Sequence, residues 1–82
     1  MKQIVFDIEA DGLKPTKVWV VVAKELCSGE TKVFKESTLG DFAHYVKTEV
    51  KEVIGHNIIG YDIPVCKRLL GVDFSHCKIT DT

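Results

Sequence analysis

Residues 4–9 constrain this chain more than any other stretch, because they set two acids into an otherwise apolar strand. In Ile4-Val5-Phe6-Asp7-Ile8-Glu9 alternate side chains share a face, so Ile4, Phe6 and Ile8 point one way and Val5, Asp7 and Glu9 the other. Two carboxylates on one face stand about 7 Å apart along a strand. Burying them without a positive partner is costly. That face therefore either meets water or holds a hard cation. The bulky apolar neighbours mark a strand central to a sheet, and the rest of the fold is expected to hold its acidic face in place.

The elements that follow are short and well punctuated. Asp11-Gly12-Leu13-Lys14-Pro15 reads as a turn. Lys17–Leu26 has a continuous β-branched centre, the mark of a strand covered on both faces, and Trp19 is expected in the core. Thr31–Lys35 follows closely enough to make a hairpin. Thr38 is a good N-cap, with Asp41 placed as in a capping box. Behind it Leu39, Phe42, Ala43, Val46 and Val50 recur at helical spacing. Val53–His56 reads as a strand and Asn57–Gly60 as a loop. A second helix covers about 62–70, with Pro64 in its first turn and Gly71 as its stop. Residues 72–78 connect to a last strand at Ile79–Thr82. The order β-β-β-α-β-α-β predicts an α/β layered domain with a mixed sheet.

Composition bounds the classes of function. Eighty-two residues suit one small domain, and 45% hydrophobic with 28% charged is ordinary for a globular chain. No apolar run nears the roughly 20 residues of a membrane span, and a cytoplasmic protein without a membrane partner is expected. Three cysteines without a C-x-x-C pair argue against a disulfide framework, and a zinc set built on Cys66, His76 and Cys77 lacks a partner motif. The net charge of −1 gives no basic footprint, but a carboxylate site is anionic until metal fills it.

Asp62 opens the second helix and serves either as its cap or as an acid facing Asp7, since strand ends and helix starts converge where α/β sites are built. His56 and Asn57 orient a substrate or close the turn, and Tyr61 stacks on a base or packs over the helix start. Asp11 is read as a turn former.

These residues resemble the 3′–5′ exonuclease domain of the DEDD superfamily, with its ribonuclease H-like fold, and most of all the proofreading domain that opens bacteriophage family A DNA polymerases. Phe6-Asp7-Ile8-Glu9-Ala10-Asp11-Gly12-Leu13 is similar to the first motif, His56-Asn57-Ile58-Ile59-Gly60-Tyr61-Asp62 to the second, and Ile79-Thr80-Asp81-Thr82 to the strand that follows. The resemblance implies a two-metal site for Mg²⁺ or Mn²⁺, with Asp7 bridging the ions, Glu9 on one and Asp62 supporting the other. Two ions about 3.5–4 Å apart suit phosphodiester hydrolysis. It implies as substrate the 3′ end of single-stranded DNA, with Asn57, Tyr61 and His56 as substrate contacts. Nothing here matches the family's third motif, a helix with the fourth carboxylate, and Asp81 is a poor substitute. The expectation is that 1–82 is the N-terminal part of one exonuclease domain, truncated as its fifth strand begins. Such a piece is inactive or weakly active until a complementing polypeptide supplies the rest. The alternative is a non-catalytic assembly module that pairs with a polymerase subunit or with itself.

Overall fold

The computed structural model describes residues 1–12 and 16–82, so the Leu13, Lys14 and Pro15 part of the expected turn lies outside the described residues. The chain is a mixed α/β domain. Its elements are β1 (Lys2–Ala10), β2 (Val18–Glu25), β3 (Thr31–Phe34), α1 (Leu39–Glu49), β4 (Val50–Gly55), a π-helical turn (Ile58–Asp62), α2 (Ile63–Leu70) and β5 (Lys78–Asp81). They build one five-stranded sheet in the order β3-β2-β1-β4-β5. β1 and β2 pair antiparallel, as do β2 and β3, whereas β4 is parallel to both β1 and β5. The acid-bearing strand is therefore the central one, as its sequence predicts.

Both helices lie on one face of the sheet. β3, β1, β4 and β5 run the same way, and the two crossovers, through α1 and then α2, advance in the same direction across the sheet. Right-handed connections then put both helices on the same side. The core shows the result: Ile4, Phe6 and Ile8 of β1 pack with Phe42, Tyr45 and Val46 of α1 and with Ile63, Val65 and Cys66 of α2. Phe6 stands at its centre, its ring 5.9 Å from that of Phe42 and 5.8 Å from that of Phe74.

That one-sided cover corrects the reading of β2. Val18, Val21 and Ala23 are buried, but Val22 is 37% exposed and Trp19 48% exposed, so the strand is covered on one face only and Trp19 is not core. The other sheet face also leaves Val5 and Val33 open. Burial at Val18 and then Val21 is no strand alternation. Ala10 pairs with Val18 and Glu9 with Val20, so Trp19 is the extra residue of a bulge.

Other expectations shift in detail. Val50 opens β4 rather than closing α1, because the strand follows the helix without a loop. Thr38 makes no side-chain cap; its hydroxyl accepts the Lys35 amide at 2.9 Å, and a hydroxyl spent on the preceding turn is not free for the helix. The segment expected as a loop is mostly the π-helical turn, which runs straight into α2, with Asn57 at its start in the left-handed region at φ 56°. Gly55 explains how so wide a turn fits. A Cβ there would overlap the Ile58 Cγ2 methyl and stand 3.0 Å from the Phe6 carbonyl oxygen.

Candidate active site at the carboxyl end of the sheet

The parallel strands β1, β4 and β5 end together, and β1 and β5 carry acids there. The β1–β4 ladder runs as far as Val5 opposite Ile54, and β4–β5 as far as Gly55 opposite Asp81. Asp7 and Glu9 lie just past the first ladder, and Asp81 closes the second. The turn from Asn57 to Asp62 crosses this end, so strand ends and a helix start converge where α/β sheets build their sites.

Asp62 is the best-defined of the acids. It is 5% exposed, and its Oδ2 accepts the Ile8 amide at 3.2 Å. That amide lies beyond the β1–β4 ladder, and Asp62 supplies the acceptor that the shortened strand no longer offers. Its own φ and ψ are helical and its side chain caps nothing, which removes the N-cap as the reason for an acid here. Burial pushes its carboxyl above the ordinary aspartate range, the Ile8 amide pulls it down, and the negative charges of Asp7 and Asp81 push it up again. The Asp7 charge thus reaches Asp62, as a lesser contribution beside burial.

Asp7 and Glu9 are exposed on the open face, and among the described residues neither carboxylate has a hydrogen-bond or ion-pair partner. Glu25, at the amino end of the same sheet, is the contrast. It is buried and accepts the Tyr45 hydroxyl at 2.6 Å, the Lys2 ammonium at 3.0 Å and the Ser28 hydroxyl at 3.2 Å. Those bonds hold its carboxyl below the usual range, with Tyr45 as the largest cause. An acid so fully occupied is structural. The free pair at the other end is the one with chemistry to spare.

The remaining residues singled out by sequence sort as follows. Tyr61 is half-buried and donates its hydroxyl to the Gly12 carbonyl at 2.6 Å, tying the helix start to the turn after β1. Asn57 folds its amide over Gly60, and His56 is exposed at the end of β4. Asp11 is a turn former: its carboxylate accepts the Thr16 amide and hydroxyl, both at 2.8 Å, and the Lys17 amide at 3.0 Å. Asp81, passed over as a ligand, accepts the Ile59 amide at 3.0 Å and so holds the π-helical turn from the neighbouring strand. Sequence reasoning missed that role because a cap supplied by a residue 22 positions away leaves no local pattern.

The donor set is hard oxygen, the kind magnesium and manganese take. Among the described residues no three His, Cys, Asp or Glu side chains stand together in a ready-made metal cluster. An ion held by fewer protein oxygens would have to keep most of its waters, as Mg²⁺ readily does. Among the described residues no zinc set forms either. Cys66 is buried in the core, where burial pushes its thiol up to about 12, while the Cys77 thiol turns to the Val50 carbonyl and the His76 ring.

Fold and site together define a small α/β domain with carboxylates gathered at the ends of its parallel strands. The sequence matches no protein-family profile and no curated protein. Among the described residues no helix is long and apolar enough to cross a membrane.

Proposed function

We propose that these 82 residues are the N-terminal part of a divalent-metal-dependent 3′–5′ exonuclease domain of the DEDD type, with a ribonuclease H-like fold, acting on single-stranded DNA. The observation that carries the reading is Asp62: buried, not a cap, and electrostatically coupled to Asp7. In this reading Asp7, Glu9 and Asp62 would hold the divalent ions, and the Ile8 amide fixes Asp62. Magnesium or manganese would supply activated water and charge stabilisation at phosphate. The chain's own contribution would be to set the Asp7 charge where Asp62 feels it, so that a cation would relieve the repulsion.

Nothing in the 82 residues answers to the family's third motif, so the chain alone is expected to leave a 3′-labelled single strand intact in manganese. Adding a polypeptide whose helix carries Tyr or His followed four residues later by Asp should start shortening from the 3′ end. Asp7→Ala should stop it. Shortening that survives Asp7→Ala would refute the assignment.

The second reading, an assembly module, is favoured by the open sheet face with Val5, Val22 and Val33 exposed. Sedimentation separates the two. Association that Val22→Lys abolishes supports the module, and a clean monomer at high concentration counts against it.

A further inference from the structure

We infer that Trp19 and Lys17 form a stacking platform for one base of a single-stranded DNA, set beside the carboxylate end of β1. The inference deepens the exonuclease reading and rests on it for the ligand.

Three observations carry it. First, Trp19 is 48% exposed although it sits within a strand. As the extra residue of a bulge it is freed from the alternation that would otherwise send it to one sheet face, and bulges re-aim side chains in this way. Second, its place is beside the acids: its neighbours Val18 and Val20 are the cross-strand partners of Ala10 and Glu9. Third, the Lys17 ammonium lies 4.2 Å from the centroid of the indole ring. The same ammonium reaches Glu36 at 3.4 Å, a pair in which Glu36 is 78% exposed and easily displaced.

The backbone under the platform is fixed. Asp11 accepts the amides of Thr16 and Lys17 and donates its own amide to the Lys17 carbonyl at 3.2 Å. The Lys17 ammonium covers one indole face at rest, so a base would stack there by displacing it, and the freed cation would then pair with a phosphate. Stacking tolerates any base, since every base has a π-face. That suits an enzyme that removes nucleotides without regard to sequence.

Trp19 is the chain's single tryptophan, so its fluorescence reports on this site alone. Oligodeoxythymidylate titrated in calcium, which offsets the acidic neighbours, should quench that fluorescence saturably and lose its grip as salt rises. For variants the readout is anisotropy of a labelled oligomer. Trp19→Leu should weaken binding tenfold or more, the scale of one lost stack. Trp19→Phe should recover part of the loss, and Lys17→Gln should weaken binding several-fold with a shallower salt dependence. Amide spectra check that each variant is folded. An oligoribonucleotide that binds as well also supports the platform, because stacking does not read the 2′-hydroxyl. The inference is overturned if the oligomer leaves Trp19 unquenched, if Trp19→Leu binds as tightly, or if Trp19 is quenched by self-association instead. Quenching that persists in Asp7→Asn supports the platform independently of the metal site. Metal binding without quenching would remove the platform and leave the exonuclease reading standing.

Discussion

Replacing Gly55 by Ala is the sharpest test of how the site is held. Gly55 ends β4 just before the turn that delivers Asp62. A Cβ there meets the Ile58 methyl on one side and the Phe6 carbonyl oxygen, 3.0 Å away, on the other. Ile58 is wholly buried and Phe6 belongs to the central strand, so neither can give way cheaply. Overpacking of this kind costs about 1–3 kcal/mol. At roughly 4–8 °C per kcal/mol for a domain of this size, a cost near 2 kcal/mol lowers the melting temperature by about 8–16 °C. The damage should be directional, because the displaced turn carries Asp62 away from the Ile8 amide. Thermal melts followed by circular dichroism give the first quantity, and the amide shift of Ile8 gives the second. The double variant with Ile58→Ala, which removes one of the clashing groups, should cost less than the sum of the two single variants. An unchanged melting temperature for Gly55→Ala would refute the close approach, and with it this account of why the turn is wide.

Two further perturbations test the electrostatics and the turn. Asp62 has a carboxyl raised in the folded state, so the native protein binds its proton more tightly than the unfolded chain does, and stability falls as pH rises through the range above the ordinary aspartate value near 3.9. Asp62→Asn keeps an acceptor for the Ile8 amide and removes the charge; its stability relative to wild type should therefore grow from acid to neutral pH in parallel melts, and a pH-independent difference would contradict a carboxyl raised chiefly by burial. Asp81→Ala removes the acceptor for the Ile59 amide and should cost about 1 kcal/mol, as lost helix caps do. Asp81→Asn should recover it at neutral pH, and equal losses in the two variants would mean that the charge, not the hydrogen bond, is what matters.

Much of this architecture is legible in the sequence because local patterns dictate it. The alternation of Ile4, Phe6 and Ile8 against Val5, Asp7 and Glu9 survives intact in β1. Phe42 and Val46 mark the buried face of α1, although Tyr45, held by Glu25 from another strand, carries no such local mark. What was not legible depends on the crossovers. A continuous run such as Val18–Ala23 looks doubly covered until both helices are known to share one face. Trp19 then turns outward at a bulge set by pairing with Glu9 and Ala10. Asp62 was ambiguous for the same reason: a helix cap and a buried acid bonded elsewhere look alike until the Ile8 amide, 54 positions away, is seen to be its partner.

Manganese tests directly whether Asp7 and Asp62 share a divalent cation, as proposed. Substoichiometric Mn²⁺ added to the ¹⁵N-labelled chain should broaden the amides of Asp7, Ile8, Glu9 and Asp62 before any others. Asp7→Asn should abolish that local broadening. Broadening spread over surface acids such as Glu30 and Glu36, or persisting unchanged in Asp7→Asn, would contradict it.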